Sequence, residues 1–408
     1  MVESRVLCTV DVAIIGAGIV GLGIAWTAAQ SGRTVTVIDP APASGATFAA
    51  AGMLAPVSEL HYQEVDLLEL TLASAALYPA FMKPLDTDGA GYRMTRTITV
   101  GADAADRRAL ADLRQVQLKH GLKVEPLTIR EARSMEPMLG PQISCAFNVE
   151  QDHQVDPRRL AGQLESAVAV RAAQEGWTHN HSIRQNAVRL LHENTADNGS
   201  RVTGVALMDG STVLAGEVIV ANGLAASQLD GLPGWLKLPL RPVYGDILRL
   251  RVPEHLRPLL TATVRGLVRG IPVYLVPRSD GTVVLGATQR EDGSAAVSAG
   301  GVHQLLRDAQ VLVPAVAELE LIEATARARP GTPDNAPLLG RVSRDSRLPG
   351  GDIPGLIIAT GFFRHGVLLT PIAAQLCLHL LDGTADSRWR RFRPDRFSRP
   401  TSKEAPHG

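Results

Sequence analysis

The sequence predicts an α/β fold in which a doubly wound domain is interleaved with an antiparallel-sheet insertion, and three observations predict it. A strand, glycine turn, helix and second strand run in order through "TVDVAIIGAGIVGLGIAWTAAQSGRTVTVIDP", Thr9 to Pro40. Residues 241–290 alternate apolar and polar, as in "YGDILRLRV" and "IPVYLVPRSDGTVVLGAT", the pattern of strands with two unlike faces. A buried strand, a loop and a helix then return in "GLIIATGFFRHGVLLTPIAAQLCLHLLDG". With βαβ order at both ends, the chain is expected to leave its first domain and re-enter it. The expected division is 1–90, 151–240 and 326–385 for the doubly wound domain, 91–150 and 241–325 for the insertion, and 386–408 for a tail.

The 408 residues can bury a large core, and 45% apolar and 20% charged residues are ordinary for a soluble globular protein. A formal net charge of zero favours neither nucleic acid nor an anionic membrane as partner. Cys8, Cys145 and Cys377 are far apart and odd in number, so no disulfide framework or CxxC pattern is readable. The apolar run Ala13–Trp26 is too short and glycine-rich to span a bilayer, and no signal-peptide pattern precedes it. A cytoplasmic, soluble protein is expected.

Along the chain, Asp103 reads as the N-cap of a helix that Gly121 stops, and Thr128 with Glu131 as a capping box. Asp156 caps a further helix with Pro157 at its first position and Gly176 past its end. "HENTADNGS", His192 to Ser200, reads as a polar hairpin loop. In "EATARARPGTPDNAP", Ala324, Ala326 and Ala328 fall on one face, and Thr325, Arg327 and Arg329 on the other. That period predicts a strand stopping at Pro330-Gly331, with two guanidinium groups on one face and no acid between them. Thr370 and Pro371 mark the start of the last helix.

The turn "GAGIVG" supplies Gly16, Gly18 and Gly21 between strand and helix. The first allows the tight turn, the second lets a pyrophosphate approach the backbone, and the third lets the helix pack on the strand. Around them Ala17, Ile19 and Val20 bring backbone N–H groups to the helix N-terminus, which favours anions. Asp39, followed by Pro40, ends the second strand where a carboxylate can hold a ribose hydroxyl. Together these predict a Rossmann-like dinucleotide site.

Four further segments occur in order: "ATFAAAGMLAP" (Ala46–Pro56), "GEVIVANG" (Gly216–Gly223), "RPGTPDNAPLLG" (Arg329–Gly340) and "ATGFFRHGVLLTP" (Ala359–Pro371). With the glycine loop they resemble the FAD-dependent amine oxidases of the D-amino acid oxidase and glycine oxidase group, over nearly the whole chain. The AAAGMLAP-like and R-P-G-T-x-D stretches look most like glycine oxidases of thiamine biosynthesis. The resemblance implies non-covalent FAD, because no cysteine stands near Arg329. It implies contacts to FAD from Thr47, Ala50, Ala51, Gly52 and Met53, from Val188 through its backbone, and from Ala221, Asn222 and Gly223. Arg329, Gly361, Arg364, His365, Gly366, Val367 and Leu368 complete the implied set.

By the same resemblance Arg329 and Tyr274 hold the substrate carboxylate, and Met53 and Arg364 border the substrate. Arginine suits that task because its planar fork makes two parallel bonds and stays charged when desolvated. The implied chemistry is hydride transfer from the substrate Cα to the flavin, with no protein acid or base and O2 reduced to hydrogen peroxide. The implied substrate is glycine, sarcosine or a small D-amino acid, in a cytoplasmic homotetramer. Rival readings are a D-amino acid or sarcosine oxidase or dehydrogenase, and a flavoprotein that binds a partner without turnover. This chain departs from the glycine oxidase pattern at Arg327 and at Phe362, where a His is frequent. Arg327 is expected to narrow the pocket, add an anchor or face the domain interface. His179 and His181 read as a solvated turn, and "RWRRFRPDRFSRP" (388–400) as a tail that packs its Phe residues.

Overall fold

The computed structural model describes residues 5–62, 64–194, 200–344, 351–384 and 386–398. The chain forms two compact units. One comprises residues 1–47, 161–242 and 329–408, the other 48–160 and 243–328. Residues 48–90 and 151–160, grouped from sequence with the doubly wound domain, fall in the second unit. There Met53 pairs with Gln154 and Leu54 with His153, and the Asp152 carboxylate accepts the N–H groups of Val57 and Ser58.

The first unit is built on a sheet ordered Leu338–Ser343, Asp352–Thr360, Thr212–Val220, Val6–Ile15, Val35–Ile38 and Ser182–Ile183. Its centre is parallel: Val12–Ile15 pair with Val35–Ile38 on one side and with Glu217–Val220 on the other. The continuous apolar run of the first strand follows from burial on both faces. Helix Ile19–Gln30 packs beside Thr370–Leu381, whose first turn holds Pro371, as expected. The hairpin Ala187–Asn194 with Ser200–Leu207 is antiparallel, and the tip of its expected loop, 195–199, lies outside the described residues. Trp389 and Phe392 of the tail are buried, and Arg393 and Arg396 pair with Asp352 and Asp334. His179 stacks on Trp177 with its Nε2 against the Val35 carbonyl, so that ring is packed.

The second unit's sheet runs Glu320–Gly331, Arg241–Arg251, Thr282–Gly286, Ile271–Pro277, Thr263–Val268, Thr97–Gly101, Cys145–Val149 and Glu125–Leu127. It is not wholly antiparallel: Thr263–Leu267 pair in parallel with Thr97–Gly101, where the two chain segments meet. Alternation decides its faces. Leu248, Leu250, Val273, Leu275, Val283 and Leu285 enter one core, which helix Ala299–Leu312 covers with Leu305, Ala309 and Leu312. Ile247, Val276 and Val284 point the other way, onto Ala49 and Ala51.

The strand of the two arginines spans Glu320–Gly331 and stops at Pro330-Gly331, as expected. It lies at the sheet's edge, where a proline's missing N–H breaks no ladder bond. Asp103–Asp106 and Thr128–Glu131 form reciprocal capping boxes. Asp156 Oδ1 accepts the N–H groups of Arg158 and Arg159 at the start of helix Pro157–Gln174. Sequence reading passed over helix Val65–Met82, which is long and apolar enough to cross a membrane by length and composition. In the fold it buries Leu67, Leu68, Leu70, Tyr78 and Met82, and Leu68 joins a cluster with Val57, Leu110 and Phe147.

Candidate active site

The glycine turn of the first unit is fixed by contacts that only glycine permits. Gly16 has φ +106, and a Cβ there would lie 2.6 Å from the Ala221 carbonyl oxygen. A Cβ at Gly21 would overlap the Gly16 carbonyl oxygen. At Gly18 such a Cβ would meet Thr47 Oγ1 at 3.5 Å and, beyond its chain neighbours, no other atom of the described residues within 4 Å, so this side of the turn is open. The first two glycine requirements are therefore packing, while the third residue leaves room for a ligand.

Asp39 and Thr47 tie the turn down. Asp39 Oδ2 accepts the Ala17 N–H at 2.7 Å and Oδ1 accepts the Ala41 N–H at 2.8 Å. Thr47 Oγ1 accepts the Ile19 N–H at 3.0 Å, and the Gly16 N–H goes to the Ile38 carbonyl at 2.8 Å. Gly18, Val20 and Gly21 then stand as the first-turn donors, which have no intrahelical partner. Pro40 follows Asp39 on the surface. Asn222 sits across the turn, and its buried Oδ1 meets no donor among the described residues. An open glycine edge, first-turn donors, a strand-end carboxylate and an orphaned amide oxygen fit a dinucleotide.

Elsewhere in this unit the Gly223 carbonyl accepts the Thr360 hydroxyl at 2.9 Å. Gly361 has φ +71, and the Phe363 N–H bonds the Pro330 carbonyl at 3.0 Å, joining the 361–368 loop to the segment after Arg329. The Gly366 carbonyl accepts the Thr370 hydroxyl at 2.8 Å, so Gly366, Val367 and Leu368 form a turn leading into the helix at Thr370. His365 is buried beside Arg364, whose guanidinium lies 5.4 Å from the Phe363 ring centre. The Val188 carbonyl takes the Asp230 N–H, so half of that peptide is committed within the protein.

Residues 11–380 match the DAO family of FAD dependent oxidoreductases. The chain belongs to this family. Glycine oxidase of Geobacillus kaustophilus is 31% identical over 379 residues, covering 91% of this chain and 93% of that protein. The crystal structure of glycine oxidase from that organism superposes with a TM-score of 0.80 at 29% identity, covering 95% and 99% of the two chains. The bifunctional protein ThiO/ThiG of Synechocystis is 31% identical over 97% of this chain, which spans only 55% of that longer protein. The protein is a FAD-dependent oxidoreductase, with relatives of about 30% identity among the glycine oxidases.

The second unit holds the other residues that the sequence singled out. Gly52 has φ +73, but its want of a side chain is set by the protein: a Cβ there would overlap the Val155 carbonyl oxygen. Its own carbonyl accepts the Val155 N–H at 2.9 Å. Ala50 and Ala51 precede it, and the Ala51 carbonyl accepts from Arg278. Met53 and Tyr274 are brought together on the sheet face of Ala51, Ile247, Val276 and Val284. Tyr274 stands opposite Gly286, and a Cβ at Gly286 would lie 2.5 Å from the Tyr274 hydroxyl. Gly286→Ala is therefore expected to push the phenol and the Ile247 side chain aside and to lower stability by the roughly 1–3 kcal/mol that overpacking costs. Thermal melting of the FAD-free protein checks this.

Arg327 does not stand as an open cation. Its Nη1 donates to the Ala326 carbonyl at 2.8 Å, and its guanidinium lies 5.4 Å from the Phe48 ring centre. Arg158 lies 3.5 Å from the same ring and makes a forked pair with Glu323 at 2.9 and 2.6 Å. That pair holds the Glu323 carboxyl below the usual range. Sequence reading missed Arg249, whose side chain is buried at 8% exposure in the middle of its strand. The signal was present: in "ILRLRV" the leucines alternate into one core, which forces Arg249 onto the opposite face.

Proposed function

We propose that this enzyme oxidises glycine and other small amino acids, sarcosine and small D-amino acids among them, to the imine. Water then releases the 2-oxo acid: glycine, O2 and water give glyoxylate, ammonia and hydrogen peroxide. The observation that carries this reading is the likeness to glycine oxidase, which runs the length of both chains. The bifunctional ThiO/ThiG relative supports a role in supplying the imine for thiamine thiazole synthesis.

Bound FAD, held non-covalently, supplies a two-electron hydride acceptor. In this reading Gly18, Val20 and Gly21 present N–H groups to the pyrophosphate, Asp39 the ribose and Val188 the adenine. The segments Ala50–Met53 and Gly361–Leu368, with Asn222 and Gly223, hold the ring system. Arg329 and Tyr274 grip the substrate carboxylate, and Met53 and Arg364 border it. Reaction then needs orientation rather than a protein base, with Cα held about 3–3.5 Å from the acceptor atom. The N-terminus of helix Thr370–Leu381 contributes partial positive charge that favours negative charge nearby. A cytoplasmic homotetramer completes the proposal.

The test is purified yellow protein given glycine, sarcosine and D-amino acids under air. Peroxide formed from glycine and sarcosine is the expected result. Flavin bleaching without peroxide would make it a dehydrogenase, and no bleaching with any amino acid would end the reading.

A further inference from the structure

The second unit carries a buried cation that the chemistry above does not use. Arg249 is 8% exposed, and neither its Nε nor its Nη2 meets a hydrogen-bond acceptor among the described residues. These two atoms form one edge of the guanidinium plane, the edge that takes a carboxylate side-on through two parallel bonds. The neighbouring carboxylates are engaged elsewhere. Glu323 is forked onto Arg158, and Asp280 pairs with Arg159 at 3.1 Å. Asp156 caps its helix and lies 3.9 Å from Arg278 Nε. Four guanidinium groups (Arg158, Arg159, Arg249, Arg278) thus face three carboxylates (Asp156, Asp280, Glu323), leaving one positive charge over. Burial among these cations also lowers the pKa of Arg249. A buried cation without a hydrogen-bonding partner is unfavourable in the free protein, and an anionic group brought by a ligand offsets that cost.

Position supplies the rest. Strand alternation puts Arg249 on the face of Ile247, Val276, Val284 and Tyr274. Ile247 and Tyr274 both pair with Gly286, whereas Arg249 pairs with Val284 one step along. By strand spacing the Cα atoms of Tyr274 and Arg249 are then about 12 Å apart, and both side chains are long enough to converge on one small molecule.

We propose that Arg249 is a second carboxylate anchor, so that the preferred substrate is a small amino acid bearing a second carboxylate. The inference rests on the reading that the Tyr274 face binds substrate. Arg327 is not the anchor, because its guanidinium is spent on Phe48 and the Ala326 carbonyl.

The test compares the FAD-loaded wild type with Arg249→Met and Arg249→Lys. Iminodiacetate and D-aspartate are set against glycine and sarcosine in kinetics, and malonate against acetate in calorimetric binding. The wild type should favour the diacid in both assays by tenfold or more. Arg249→Met should lose about tenfold to a hundredfold for diacids, the worth of one charge-assisted bond, and leave glycine nearly unchanged. Arg249→Lys, which keeps the charge but not the fork, should fall between. Turnover of glycine with no diacid preference, or equal losses for glycine and diacids in Arg249→Met, would overturn the inference. Should no amino acid reduce the flavin, the proposed function fails instead, and malonate against acetate still reads Arg249. If Arg249→Met does not fold, the wild-type binding preference and Arg249→Lys decide.

Discussion

Arg329→Ala is expected to raise the KM for amino acid substrate by two to four orders of magnitude while FAD stays bound. Two charge-assisted bonds to a carboxylate are worth about 1.5–3 kcal/mol each, and about 1.4 kcal/mol is tenfold. The backbone around the position should hold when the side chain goes. Arg329 lies within strand Glu320–Gly331, and the next residue's carbonyl is bonded by Phe363 N–H at 3.0 Å. A loss confined to KM would mark a contact made equally in ground and transition states, whereas a matching loss in kcat would mark one that orients Cα. Arg329→Lys separates charge from geometry, because lysine keeps the charge and loses the parallel fork. A KM within twofold of wild type in Arg329→Ala would remove this residue from the site.

The turn at Gly16–Gly21 was legible because every constraint on it is local. Strand, turn and helix are contiguous, and Asp39 follows at the end of the next strand, where its carboxylate meets Ala17 N–H at 2.7 Å. Helix caps were legible for the same reason: Asp103 with Asp106, and Thr128 with Glu131, act across three residues. What sequence hid depends on partners far away in the chain. Gly52 reads as a residue kept small for a flat ring, but Val155, about a hundred residues on, is what leaves no room for a side chain. Arg327 and Arg329 look equivalent by periodicity, and the Phe48 ring, against which the Arg327 guanidinium lies, comes from far back in the chain. Helix Val65–Met82 buries one face at helical spacing, but Thr71 and Ser74 lie on that face while Val65, Ala76 and Ala80 are exposed, so composition alone shows no clean apolar stripe.

The second large effect is expected at the glycine turn, where two neighbouring substitutions should fail in different ways. Gly21→Ala puts a methyl group onto the Gly16 carbonyl oxygen, and Gly16 cannot yield, because Ala221 and Asn222 already close on it. The helix must back away from the strand, and overpacking of this kind costs about 1–3 kcal/mol. The displaced helix takes its first-turn N–H groups with it, so Gly21→Ala should lose both FAD and several degrees of thermal midpoint in the FAD-free protein. Gly18→Ala differs. Its φ of −69 suits alanine, and the new methyl would meet only Thr47 Oγ1 at 3.5 Å, an ordinary contact. The FAD-free Gly18→Ala protein should therefore melt like the wild type and yet bind FAD at least tenfold more weakly, because the methyl occupies the edge a pyrophosphate must approach. Calorimetric melting and fluorescence titration with FAD separate the outcomes. Wild-type FAD affinity in Gly18→Ala would mean that the open edge is not where the cofactor's phosphates lie, and the cradle would have to be sought elsewhere in the first unit.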